Sequence, residues 1–417
     1  MSTLPGPSLT PGQLAEIDPP QAVLDWCDEV SSRTSVPFKV DALIGLFEGR
    51  IRDNAAGLSR TEYVESVVLD QDYDSHTWAQ SFFSDGLAYL GYLEYLHLGL
   101  EGTVSVEAYV SCLFDFQLLY RNASKSGTNS YHNATHAMDV LQMLGLMVHS
   151  LRQTESGRTV LPLASVYILL LAAAGHDLEH TGKGTDLVTN TRYSLSTFYK
   201  AFGEDSPVEV SHAHLGVHVL RKYSVPADGS VEVEHFFKQA ILSTDPKSQH
   251  PARLVRELPD TPSSWDTRDR HTFLSGLIRL ADISNPTRVF SVSREHTNDV
   301  TNEFWATGDI MRGMDMKVPP QLDRRLGLLS KYKGQVFFIG QIVRPEVESL
   351  RDVASVLDGT TGADTTLEGL AALLDGFVSK LETNTAEWRH VAERHMAERH
   401  VAERHMAERQ EEKEGRG

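Results

Sequence analysis

The run Leu161–Gly175, LPLASVYILLLAAAG, passes without a break into His176-Asp177-Leu178-Glu179-His180. A stretch this apolar is buried wherever it folds, so the chain delivers imidazoles and carboxylates to the edge of its own hydrophobic interior. Burying such groups costs several kcal/mol unless they are paired or bound to metal. A divalent cation removes that cost, because adjacent His and Asp offer one nitrogen and one oxygen ligand and a carboxylate can bridge two ions. The alternative is a polar helix end closed by a His–Asp hydrogen bond. The run has 15 residues and is interrupted by Pro162 and Ser165. It falls short of the ~20 residues of a membrane-spanning helix, so it reads as a buried helix and the chain as having no membrane span.

The surrounding sequence is helical in period. Ala137, Val140, Leu141, Leu144 and Val148 recur at helical spacing, as do Leu367, Leu370, Leu374, Phe377, Val378 and Leu381, while long alternating runs of Val, Ile and Thr are absent. The expected fold is all-α. Residues 1–20, with five prolines and two glycines, read as a flexible tail. Residues 21–385 read as one helical domain and 386–417 as a charged helical repeat tail, in which HVAERHMAER occurs twice. Each five-residue step turns ~500°, so the repeat histidines spiral around the helix instead of lining one face.

Charge and cysteine narrow the function classes. Lys and Arg number 39 against 57 Asp and Glu, a formal net charge of −18, which opposes nucleic-acid and anionic-membrane binding. A small phosphate substrate stays open, since bound divalent ions supply positive charge locally. Cys27 and Cys112 make neither a disulfide framework nor a zinc knuckle and read as buried thiols in a reducing compartment. The N-terminus lacks the basic and apolar regions of a signal peptide, so a cytoplasmic location is expected.

Two further clusters carry chemistry. In Tyr131–Val140, YHNATHAMDV, His132 and His136 are four apart and would share one face of a helix. In Ala281–Thr287, ADISNPT, Asp282 closes an apolar segment before a proline turn. Alone it would read as an N-cap or Asx-turn aspartate.

In chain order these clusters give His…His-Asp…Asp, the ligand pattern of the HD metal phosphohydrolases. YHNATHAMDV, ADISNPTR, the Glu303–Asp309 stretch EFWATGD and the Lys333–Pro345 stretch KGQVFFIGQIVRP resemble, in the same order, the class I cyclic nucleotide phosphodiesterases. The resemblance implies a compact multi-helix catalytic domain with its metal and nucleotide site within 131–345. It implies zinc on His136, His176, Asp177 and Asp282. A second ion, magnesium or manganese, would be held by Asp177 and waters, with Thr244 helping to hold that water. A hydroxide shared by the two ions would attack phosphorus in line with O3′, and His132 would protonate the leaving oxygen. His180 and Glu209 would stand around the hydroxide and phosphate. Gln335 would read the purine edge, with Phe338 and Val300 on the two ring faces, Asn285 at the far edge of adenine and Tyr131 lining the pocket.

The implied reaction is hydrolysis of a 3′,5′-cyclic nucleotide, cAMP favoured over cGMP, to the 5′-monophosphate. A homodimer is compatible with the resemblance. The competing readings are an HD hydrolase of another phosphate and a degenerate domain that senses nucleotide without cleaving it. One loop departs from the family's usual HDxxHxGxxNxF: Thr185 stands at the Asn position and Leu187 at the Phe position.

Overall fold

The structure, a computed structural model, describes residues 21–33, 39–124, 129–189, 206–246, 255, 257–259, 261–359 and 369–414. The tail 1–20 lies outside them. Every regular element among the described residues is helical. Short 3-10 turns aside, in order these are α1 (Gln21–Arg33), α2 (Val40–Asn54), α3 (Arg60–Val68), α4 (Ser75–Ser81), α5 (Gly86–His97), α6 (Val106–Ser124), α7 (Ala134–Leu151), α8 (Glu155–Val160) and α9 (Leu163–Gly175). They continue as α10 (Thr185–Val188), α11 (Pro207–Lys222), α12 (Val231–Leu242), α13 (Thr267–Asp282), α14 (Phe290–Gly313), α15 (Gly327–Phe338), a π-helical turn Ile339–Val343, α16 (Arg344–Leu357) and α17 (Leu370–Glu414).

The apolar run forms α9. Every residue from Val166 to Gly175 is buried, because α6, α7, α12 and α13 all pack around it. A helix that is apolar on every side can be satisfied only by such enclosure. No described helix is long and apolar enough to cross a membrane. Cys27 and Cys112 are buried and unbonded to each other.

The histidine and aspartate clusters fall at helix ends. His176 caps the C-terminus of α9, Asp282 is the last residue of α13, and His136 lies in the first turn of α7. His132 differs from expectation. Asn133 is the N-cap of α7, its side chain accepting from the Thr135 N–H, so His132 sits in the preceding turn and does not share a helical face with His136. The Asn133 side chain competes for the backbone and stops the helix there.

Two buried contacts fix these ends in register. Arg288, fully enclosed, donates to Asp139 Oδ1 at 2.9 Å, to Gln142 Oε1 at 2.7 Å and to the Gln71 carbonyl at 3.2 Å. Asn384 of α17 donates to the carbonyls of Pro286 and Arg288 at 2.6 and 2.9 Å. The loop after Asp282 is therefore tied to α7 on one side and to α17 on the other. The expected division at 385 falls inside this one helix, and Trp388 and Ala392 are still buried. Trp388 packs against Phe290 and Tyr332, with ring centroids at 5.0 and 5.8 Å. Farther along, Val401 and Met406 are exposed.

Trp388→Ala is expected to lower stability by about 3–5 kcal/mol, while Met406→Ala changes it by less than about 0.5 kcal/mol. Urea titration of the two variants checks this; equal small effects would mean that the core ends at 385.

Candidate metal and phosphate site

Four donors meet where α7, α9 and α13 converge. His136 Nε2 lies 3.0 Å from Asp282 Oδ1 and 3.8 Å from Asp177 Oδ2, and His176 Nε2 lies 3.2 Å from Asp177 Oδ2 and 3.4 Å from Asp282 Oδ1. Ligands placed ~2.1 Å from a common centre stand ~3.4 Å apart in a tetrahedron; these four separations bracket that value, and His136, His176 and Asp177 each offer an atom within 4.8 Å of the other two. His176 Nδ1 donates to the Ala173 carbonyl at 2.8 Å, which leaves Nε2 to offer its lone pair to the site. That Nε2 and Asp177 Oδ2 are buried and have no hydrogen-bond partner among the described residues. Buried atoms in this state fit a cation between them.

The electrostatics agree. Burial would raise Asp177 and Asp282, yet both stay well below the usual carboxylate range because the facing rings of His176 and His136 outweigh it. Burial would likewise depress His176, but Asp177 and Asp282 hold it well above the usual imidazole value. The pair of carboxylates draws in positive charge, whether a proton on imidazole or a metal ion. The ends of α9 and α13 add their carbonyl dipoles in the same sense.

Asp177 also faces a second direction. Its Oδ1 lies 3.9 Å from Nε2 of His212 on α11, and the His212 Nδ1–H donates to the Leu178 carbonyl. Burial holds His212 down at about 4, so it is neutral at pH 7. Sequence reading gave His212 no role; three residues past Glu209 in PVEVSH, it had no helix face assigned to it.

His132 is held by Glu303 of α14. One Glu303 oxygen accepts the backbone N–H groups of Tyr131 and His132 at 2.9 and 3.2 Å, and the other takes a short hydrogen bond from His132 Nδ1. Burial disfavours charge on both, but their mutual attraction dominates, raising His132 to about 9 and lowering Glu303 to about 2. His132 is therefore a cation at neutral pH with a second N–H to give. The sequence showed Glu303 inside a motif without indicating a partner 171 residues away.

His180 lies beside it, ring centroids 4.1 Å apart. Its Nδ1 accepts from the Gly182 N–H at 3.1 Å, and burial together with charged His132 holds it down at about 3. It is neutral with its proton on Nε2. Between Asp177 and His180, Glu179 has a φ of 59°, a left-handed conformation uncommon for a side chain of its size.

A cavity of ≈ 280 Å³ opens over these groups, lined by His132, Asp177, His180, Glu209, Thr244, Asp282 and Glu303. Thr185 and Leu187, the two departures from the family pattern, also line it, with Leu187 almost fully buried. Gly308 lets α14 approach Leu322, which lines the cavity: a Cβ there would stand 1.9 Å from the Leu322 carbonyl oxygen. Thr244 Oγ1 donates to the Ile241 carbonyl at 2.8 Å.

The five residues expected around a base do not line this cavity. Asn285 Nδ2 donates to the Tyr131 hydroxyl at 3.2 Å, and Tyr131 lies against the His136 ring at 4.4 Å. Gln335 Oε1 accepts from Thr297 Oγ1 at 3.2 Å. Phe338 is half-buried against the core, whereas Val300 is half-buried outside it.

A sequence profile described as 3′5′-cyclic nucleotide phosphodiesterase matches residues 131–361, more than half of the chain. The chain belongs to this family. It is 28% identical over 265 residues to the dual specificity calcium/calmodulin-dependent 3′,5′-cyclic nucleotide phosphodiesterase 1B of Bos taurus, covering 60% of this chain and 46% of that protein. It is 26% identical over 261 residues to the probable 3′,5′-cyclic-AMP phosphodiesterase pde-4 of Caenorhabditis elegans, covering 58% and 36%. The match therefore spans less than half the length of each. The solved structure of LmjPDEB1 in complex with IBMX shares the fold, with a TM-score of 0.65 at 21% identity over 93% of this chain and 99% of that one.

In the metal-free chain, the His132 resonance is expected to titrate near 9 by NMR and to drop by more than ~2 units in Glu303→Gln, because each unit is ~1.4 kcal/mol of interaction. A folded-state value above the unfolded ~6.5 stabilises the fold fully below that pH and loses its effect as pH rises through about 9. An unchanged His132 titration in the variant would remove Glu303 as the cause.

Proposed function

We propose that the chain hydrolyses 3′,5′-cyclic nucleotides to 5′-monophosphates, with two divalent ions in the site. The observation that carries the reading is one cavity lined both by Asp177 and Asp282 of the donor cluster and by the His132–Glu303 pair. His136, His176, Asp177 and Asp282 would hold the first ion; two nitrogens and two carboxylate oxygens without sulfur suit zinc. Asp177 Oδ1, turned towards His212, supports a second ion on that side, with water ligands near Glu209 and Thr244, as suits magnesium or manganese. When bound, the two ions neutralise phosphate charge and lower the pKa of a water so that hydroxide can attack phosphorus.

The remaining chemistry falls to the chain's own side chains. Cleavage of P–O3′ leaves an alkoxide that needs a proton, and charged His132 can give one from Nε2 while Glu303 fixes Nδ1. General acid catalysis contributes ~10²–10⁴-fold. Neutral His180 at the cavity wall and neutral His212 beside Asp177 keep donors or lone pairs there without adding a competing charge. Exclusion of bulk water strengthens each of these interactions.

For the base, Gln335 offers donor and acceptor on one amide, and its Oε1 accepts from Thr297. Phe338 and Val300 provide the apolar faces, with Asn285 and Tyr131 nearer the metals. Cyclic AMP is the favoured substrate: one relative is named for cyclic AMP and the other for dual specificity.

Purified chain with Mg²⁺ or Mn²⁺ is expected to release 5′-AMP from cAMP faster than 5′-GMP from cGMP. His132→Ala should cost ~10²–10⁴-fold in kcat, and Asp282→Ala should abolish turnover with loss of bound metal. Metal retention without turnover of either nucleotide would favour a nucleotide sensor.

A further inference from the structure

A second cluster of donors lies away from the cavity, where α4 meets α14. His76 Nε2–H donates to Asp299 Oδ2 at 2.8 Å. That bond makes Nδ1 the lone-pair nitrogen of the neutral ring. Nδ1 is shielded from solvent and has no hydrogen-bond partner among the described residues. It points between Asp74 Oδ1 at 3.9 Å and Glu295 Oε2 at 3.8 Å.

Neither protonation state satisfies this atom. A bare buried nitrogen lacks a donor, and a protonated one would aim its N–H at oxygens beyond hydrogen-bond reach. A metal ion resolves both. One donor atom from each of Asp74, His76 and Glu295 lies within 4.8 Å of the other two, and ligands bound at ~2.1 Å stand ~3.4 Å apart in a tetrahedron, so a small inward movement of the two carboxylates brings all three donors onto one ion. We propose that His76 Nδ1, Glu295 and Asp74 bind a divalent cation of the zinc class, with water completing its shell.

The composition of the site selects the ion: one imidazole nitrogen with two carboxylates and few ligands suits zinc better than calcium or magnesium. Asp299 supplies the outer carboxylate that usually orients a metal-bound histidine. Glu295 is half-exposed and can rotate inward to close the shell. Asp74 Oδ1 also accepts the N–H groups of His76 and Thr77 at 3.0 and 3.2 Å, so its bond to the ion is the weakest of the three. None of these residues belongs to the cavity over His132. The site is linked to it structurally, because Asp299 lies one turn before Glu303 and its carbonyl accepts from Ser130 Oγ at 2.9 Å.

The test is zinc binding by the full-length chain, read by calorimetry and by elemental analysis after dialysis. Wild type is expected to hold one more equivalent of zinc than Glu295→Gln, whose substitution at a half-exposed position spares the fold. Asp299→Asn should keep the stoichiometry and weaken this equivalent about 10–100-fold. The extra equivalent should persist in His136→Ala/Asp282→Ala, where the cavity site is disabled. Zinc stoichiometry and affinity unchanged by both Glu295→Gln and His76→Gln would overturn the proposal, and would assign any surplus zinc to other histidines, such as those of the repeat tail.

Discussion

The buried contact between Arg288 and Asp139 is the constraint on which the site depends. Arg288 is fully enclosed, and its guanidinium joins the helix that carries His136 to the loop that follows Asp282. Those two metal-donor candidates come from distant parts of the sequence, so neither helix alone can set their separation. A buried ion pair of this kind adds little net stability, but removing one partner typically costs 3–5 kcal/mol because a charge is stranded. Its effect is geometric. It permits one arrangement of α7 against α13, and with it the 3.0 Å approach of His136 to Asp282.

Around that register the chemistry is divided by charge. The carboxylates Asp177 and Asp282 face one another across buried imidazoles and favour a cation. Glu303 is paired with His132 and keeps a proton on it. His180 and His212, with no carboxylate in hydrogen-bond contact, stay neutral. His132, His176, His180 and His212 thus differ in protonation because each meets a different balance of burial and neighbouring charge.

The all-α fold was legible from periodicity, and the buried α9 from composition alone. Sequence brought out His176 and Asp177 because α9 drops its polar cluster at a helix end, and His136 and Asp282 only through the motif order shared with the family. What it could not show was set by tertiary contact. His132 was read as sharing a helical face with His136, since the four-residue spacing alone does not say that the helix starts only after Asn133. Glu303 and His212 acquire meaning only through partners on other elements. Trp388 lies inside a charged stretch that reads as solvated, and only the Phe290 and Tyr332 rings show that the core reaches it.

The placement of the four donors on three helix ends also couples ion binding to folding. His136 and Asp282 are 146 residues apart, and the unfolded chain retains only the adjacent pair His176 and Asp177. An ion that needs all four donors therefore binds the native chain almost exclusively. Each tenfold excess of free ion over its dissociation constant then adds ~1.4 kcal/mol to the folded state. The ion would act as a latch on the convergence of α7, α9 and α13, and chelation would loosen the whole domain along with the site.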